Sequence, residues 1–80
     1  MKIIKLEKPS CNPCTMVSNF LNSQSVDFEA FDVTENPEVG ATYGVMSVPV
    51  TILLDDQGNE VKRVIGFNPD GLQEIISELN

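Results

Sequence analysis

Cys11-Asn12-Pro13-Cys14 is the one pair of thiols in this 80-residue sequence, and its spacing suits dithiol chemistry. A thiolate attacks a disulfide to give a mixed disulfide, and a second thiol close by resolves it. Other routes close quickly. The sequence has no His, so neither Ser-His-Asp nor Cys-His catalysis occurs within the chain. Two Cys do not complete a structural zinc site, which takes four N or S ligands. Two other readings of the pair stay open. One is a pair of buried structural thiols, disfavoured because a helix start beside Pro is exposed and electropositive. The other is metal or iron–sulfur binding, with external thiols or a second subunit completing the ligand set.

The pair needs a strand to deliver it and a helix to activate it. Residues 2–7 (Lys-Ile-Ile-Lys-Leu-Glu) read as a strand ended by Pro9. Residues 12–23 carry Val17, Phe20 and Leu21 at i, i+3, i+4 spacing, the signature of an amphipathic helix. Cys11 then caps that helix and Cys14 lies on the same face, within bonding reach. A Cys-x-x-Cys at a strand–helix junction is a redox signal. The unsatisfied N–H groups and positive dipole end favour a Cys11 thiolate, which makes Cys11 the nucleophile and the shielded Cys14 the resolving thiol. Pro13 falls at the second helical position and offers no N–H, leaving only the Asn12 and Cys14 amides nearby. The expected result is a moderately lowered Cys11 pKa and a fairly reducing couple. Lys8, three residues before Cys11, either adds a positive charge near the thiolate or is a solvated loop lysine.

The remaining elements follow from periodicity and punctuation. Val26, Phe28 and Ala30 alternate with Asp27 and Glu29, the period of a half-buried strand. Asn36-Pro37 starts a short helix, with Asn36 as its side-chain cap, running to Tyr43 and stopped by Gly44. Val50 to Leu54 is an apolar, β-branched central strand. Asp55 to Asn59 is a turn, and Glu60 to Ile65 returns as the hairpin partner. Asn68-Pro69 caps a last helix with a stripe of Leu72, Ile75, Ile76 and Leu79.

The order β-α-β-α-β-β-α predicts an α/β fold: a four-stranded mixed sheet with three helices on both faces. Residues 1–80 form a single domain, with Val17, Phe20, Leu21, Phe28, Ile75 and Leu79 in the core. Five Lys plus Arg against twelve Asp plus Glu give a formal charge of −7, which argues against nucleic acid. Asp55, Asp56, Glu74 and Glu78 read as solvated faces rather than a metal loop. No apolar run approaches the ~18 residues of a membrane span, and Ile3, Ile4 and Leu6 are too few for a signal-peptide core. A cytoplasmic monomer that neither enters a membrane nor needs a cofactor or metal is the expectation.

With these motifs placed, the chain resembles the thioredoxin–glutaredoxin superfamily over essentially its whole length. Three segments carry the resemblance: Cys11-Asn12-Pro13-Cys14; Asn36-Pro37 through Tyr43-Gly44-Val45 to Ser47-Val48-Pro49; and the hairpin Ile52-Leu53-Leu54 through Gly58 to Val64-Ile65-Gly66. The resemblance implies a thioredoxin fold and a reversible Cys11–Cys14 disulfide. It also implies a cis Pro49 facing the cysteines and a Val48 backbone that pairs with the substrate chain. Asn12, Pro13, Val48, Pro49, Gly66 and Phe67 become the substrate-binding rim, with Phe67 serving as either docking aromatic or packed core. The size is glutaredoxin-like. Lys8-Pro9-Ser10-Cys11 and Gly66-Phe67-Asn68-Pro69-Asp70 look like the small redoxins that accept electrons from thioredoxin reductase and feed ribonucleotide reductase.

The departures are informative. Ser10 replaces the thioredoxin Trp. Lys5 stands where that family buries an acid behind the cysteines, and Ala30 where it places the partner lysine. Cys-Pro-Tyr-Cys of glutaredoxin is absent, Phe67 occupies the second Gly of its glutathione-binding Gly-Gly, and Val50 replaces the Thr after the cis-proline, with Thr51 one further on. These departures, with the negative charge, weigh against glutathione; the missing Pro13 N–H is what places the couple nearer the thioredoxin end of a ~150 mV family range. The rival expectations are a glutathione-dependent glutaredoxin, an iron–sulfur or metal-bridged dimer, and a non-redox adaptor on the same fold.

Overall fold

The structure is a computed structural model that describes residues 1–79; Asn80, the last residue of the domain expected over 1–80, lies outside the described residues. The elements are β1 (Lys2–Glu7), α1 (Asn12–Ser23), β2 (Glu29–Asp32), α2 (Pro37–Thr42), β3 (Val50–Leu54), β4 (Glu60–Ile65) and α3 (Pro69–Glu78). They form one sheet in the order β2-β1-β3-β4. β1 runs parallel to β2, and β3 is antiparallel to both β1 and β4. This is the mixed α/β sheet expected from the element order. No helix among the described residues is long and apolar enough to cross a membrane.

β1 and β3 are central strands and bury both faces, so their side chains divide between two cores. Ile3 and Leu53 face α1 and α3, packing with Val17, Leu21, Val64, Leu72, Ile75 and Ile76; Phe20, Phe28 and Leu79 join at the margin. Ile4, Leu6, Val50, Ile52 and Leu54 face the other way, where Val39 and Tyr43 on and beside α2 cover them. Helices therefore lie on both faces of the sheet. Each such aliphatic side chain contributes about 1.5–3 kcal/mol when fully withdrawn from water.

Local details depart from the periodic reading in two places. The alternation of Val26, Phe28 and Ala30 suggests a strand over that stretch, but β2 begins only at Glu29. The C-terminus of α1 takes up the preceding residues: Ser25 N–H bonds to Asn22 O at 3.1 Å and Val26 N–H to Leu21 O at 3.1 Å. These are the paired bonds of a Schellman ending, with Ser25 in the left-handed region at φ 57°. Val26 and Phe28 are half-buried against the core before pairing starts, and Ala30 is exposed on the edge strand. The second correction concerns Asn36. Its side chain does not cap α2; its Nδ2 donates to Asp32 O at 3.2 Å and fastens the loop before the helix. Asn68 does cap α3, accepting from Gly71 N–H at 3.1 Å.

Candidate functional site

At the C-terminal end of β1 the chain leaves the sheet through Lys8, Pro9 and Ser10, with Ser10 at φ 55° turning it into α1. Cys11 is the N-cap, extended at φ −121° and ψ 103°. Its Sγ accepts a hydrogen bond from Cys14 N–H at 3.3 Å, and its carbonyl accepts from Thr15 N–H at 3.1 Å. Pro13 lies in the first turn and brings no donor, and no acidic side chain in that turn offsets the positive end of the dipole. Cys11 is half-buried, whereas Cys14 is only 3% exposed. The two are joined as a disulfide with Cα atoms 5.2 Å apart, inside the 4.4–6.8 Å that such a bond spans. One thiol is thus presented and its partner is held behind it.

The sheet brings a second loop to the same end. Val48-Pro49 is a cis peptide just before β3, and Gly66, just after β4, donates its N–H to Pro49 O at 2.9 Å. Leu6 at the end of β1 pairs with Val50, and Val50 with Ile65, so these segments lie at the edge that carries the cysteine loop. Pro49 is buried and Val48 half-buried. Val48 lines a groove of about 270 Å³ with Lys8, Val33, Val45, Met46 and Ser47. Lys8 also lines a separate cavity of about 260 Å³ around Cys11, so it stands between the thiols and the groove. Asn12 and Pro13 are exposed beside Cys11. Phe67 is half-buried and packs edge-on against Phe20, with ring centroids 6.3 Å apart, so much of its surface belongs to the core.

Two features stand out beyond the cysteine motif: Met46, which sequence reading did not reach, and Lys5, which the resemblance placed behind the cysteines without showing its partners. Met46 is 98% exposed at the rim of the groove, an apolar side chain fully in solvent. Lys5 is 1% exposed in the middle of β1, with its Nζ donating to Glu7 Oε1 and Ser18 Oγ. Lys5, Glu7 and Ser18 line the cysteine cavity. The available signal was a lysine flanked by Ile4 and Leu6 in a central strand. Asp32, in register with Glu7, holds its carboxyl below the usual range through the Thr34 hydroxyl and amide. Among the described residues, no group of three or more His, Cys, Asp and Glu is placed to hold a metal ion.

Residues 2–58 match the family model described as Glutaredoxin. The chain belongs to the thioredoxin/glutaredoxin superfamily. Within it, the chain is similar to the SPbeta prophage-derived thioredoxin-like protein YosR of Bacillus subtilis, 60% identical over 99% of each chain. It is 37% identical to a Staphylococcus aureus thioredoxin, covering 85% of this chain and 71% of the relative. Among solved structures, Nicotiana alata thioredoxin NaTrxh superposes with a TM-score of 0.84 at 34% identity, covering 95% of this chain and 70% of that one. Oxidised mitochondrial thioredoxin 3 of Saccharomyces cerevisiae gives 0.83 at 30% identity, covering 95% and 76%. With this membership and the Cys11–Cys14 pair, the chain is a thiol–disulfide oxidoreductase of thioredoxin fold.

Proposed function

We propose that the protein is a cytoplasmic, monomeric reductant of protein disulfides, recharged by an NADPH-coupled thioredoxin reductase rather than by glutathione. The observation that carries the dithiol half is Cys11 at the N-cap of α1, accepting from the Cys14 amide with Cys14 buried behind it. Cys11 thiolate attacks one sulfur of the substrate disulfide; the first substrate sulfur leaves as a thiolate and is protonated by water. Cys14 then attacks Cys11 Sγ, closes the internal disulfide and expels the second substrate thiolate. Two electrons have moved to the substrate, and NADPH returns two through the reductase.

Three features support protein partners. The groove beside Val48 is mostly apolar and rimmed by exposed Met46, a surface for a peptide chain rather than a charged tripeptide. Phe67 fills its position with a ring packed on Phe20. The charge of −7 repels a small anion such as glutathione. In this reading Asn12, Pro13, Val48, Pro49, Gly66 and Phe67 frame the docking edge, and Lys8 supports the thiolate. Ribonucleotide reductase is a specific acceptor to try.

The test compares NADPH consumption with thioredoxin reductase and insulin against consumption with glutathione and glutathione reductase. The expected result is turnover in the first assay, its abolition in Cys11→Ser with the fold intact, and little turnover in the second. Strong glutathione-coupled turnover with none from thioredoxin reductase overturns the choice of reductant. Undiminished activity in a Cys11→Ser, Cys14→Ser double variant overturns the redox reading in favour of an adaptor.

A further inference from the structure

Burying an ammonium in the middle of a sheet costs several kcal/mol unless it is paired. Lys5 is nevertheless buried, on the same face of β1 as Ile3, where an aliphatic side chain would serve packing better. Its two hydrogen bonds fix where the charge sits. Ser18 lies four residues after Cys14 on α1, so the two side chains are neighbours about 5–6 Å apart at Cβ. An ammonium bonded to Ser18 Oγ is therefore held roughly one helical turn below the Cys14 sulfur, and Lys5, Ser18 and Cys14 line one cavity. Thr51, directly across from Lys5 on β3, turns to the same face; its buried hydroxyl has no protein hydrogen-bond partner among the described residues. A polar, cationic floor thus lies beneath the resolving cysteine.

We propose that Lys5 is a positioning residue for the second half of the exchange: its buried ammonium, held by Ser18 and Glu7, favours the Cys14 thiolate and speeds resolution of the mixed disulfide. The inference rests on Cys11 and Cys14 acting as attacking and resolving thiols. In the step it assists, Cys14 releases its proton to solvent through the cavity. The thiolate then bonds to Cys11 Sγ, and the electron pair of the broken Cys11–substrate bond leaves on the substrate sulfur, which takes a proton from water. Lys5 supplies charge, not a proton acceptor, since an ammonium has no free lone pair.

The surrounding charges leave Lys5 as the dominant one. α1 carries no charged side chain, and neither does β3. Glu7 pairs with Lys5 but is 32% exposed, so water screens it more than the ammonium. Lys8 lines the cavity from the loop and adds positive charge. On β2, Asp32 stands opposite Glu7 and is engaged by Thr34.

In Cys11→Ser protein the only thiol is Cys14, and its ionisation is read from thiolate absorbance and from the pH profile of alkylation. Lys5→Met, which keeps a linear side chain without the charge, raises the midpoint by about one unit. Glu7→Gln, which leaves the ammonium uncompensated, lowers it. In the two-cysteine protein, Lys5→Met slows resolution about tenfold at neutral pH, recovers above the shifted midpoint, and leaves Cys11 attack unchanged. A fold defect alone gives neither opposite shifts in the two variants nor recovery with pH. If Lys5→Met does not fold, the sign of the Glu7→Gln shift decides. An unmoved or lowered midpoint in Lys5→Met, or a raised one in Glu7→Gln, overturns the proposal. Failure to form any mixed disulfide through Cys11 refutes instead the reading on which it rests.

Discussion

Pro13→Ala gives the sharpest test of how Cys11 is activated. An N-cap side chain accepts from the amide at the second or third helical position. Here the second position is Pro13, and the cap bond comes from Cys14 N–H at 3.3 Å. Alanine restores an N–H at that vacant donor position without changing the helix. A hydrogen bond to a charged group contributes about 1.5–3 kcal/mol net. Sulfur is a weak acceptor and Cys11 is half-exposed to water, so about 1 kcal/mol is the reasonable share here. One pKa unit corresponds to 1.36 kcal/mol, so the Cys11 thiol falls by roughly 0.7 unit. The same stabilisation belongs to the reduced form alone. At about 30 mV per 1.4 kcal/mol it raises the reduction potential by roughly 20 mV wherever Cys11 is ionised.

The assay titrates Cys11 by thiolate absorbance in Cys14→Ser protein, then measures the potential of the two-cysteine protein against a glutathione buffer. Stability moves the other way, since replacing proline costs about 0.4–1 kcal/mol through the unfolded chain. A general loosening of the helix start therefore predicts lower stability with no fall in pKa. A Cys11 pKa that stays put or rises in Pro13→Ala refutes helix-end activation. A wild-type Cys11 fully ionised below pH ~5 instead rules out the moderate lowering expected with Pro13 at the second helical position.

Two further predictions concern the scaffold. Ser25 holds φ 57° at the residue after the α1 cap, so Ser25→Gly stabilises the protein by about 0.5–1 kcal/mol, or some 3–6 °C in Tm, and an unchanged or lower Tm refutes the assignment. Glu60 is held below its ordinary 4.5 by its Arg63 hydrogen bond, and Asp32 below 3.8 by Thr34. Their contribution is present above those ordinary values and is lost as pH falls through the lower folded values. Tm therefore holds from pH 7 to 5 and drops below about pH 4.5, less steeply in Glu60→Gln; an identical slope in that variant removes Glu60 from the account.

The layout was legible because its signals are local and repeat. Apolar residues at Val17, Phe20 and Leu21 declare a helix face, and the run from Val50 to Leu54 declares a strand buried on both sides. The cysteine pair was legible for the same reason, since a cap and the position three beyond it are fixed by the helix itself. The start of β2 was not. Val26 and Phe28 alternate as a strand does, yet they belong to the exit from α1, where the Ser25 and Val26 amides close the helix. Periodicity records that a side chain is half-buried and is silent on whether its backbone pairs with a neighbour. Asn36 shows a similar limit, because a capping residue type before Pro37 has a choice of acceptors and donors, and tertiary placement directed its amide to Asp32 O.

Lys5 shows where sequence patterning gives out for chemistry. Net charge, counted over the chain, is −7 and says nothing of its distribution. Three of the five cations are spent on surface pairs: Lys2 with Glu29, Lys62 with Glu74 and Glu78, and Arg63 with Glu60. Lys5 and Lys8 line the cysteine cavity with one acid, Glu7, which pairs with Lys5, so the lining keeps one surplus positive charge beside a helix end with no acid in its first turn. The site is thus a cationic spot in an anionic molecule. Screening makes the two scales separable: at physiological salt, charges more than about 8 Å apart interact weakly in solvent, while a buried ammonium is screened much less from its neighbour. The surface acidity then bears on which partner approaches. The buried lysine and the bare helix end bear on how readily the two sulfurs ionise once it has docked.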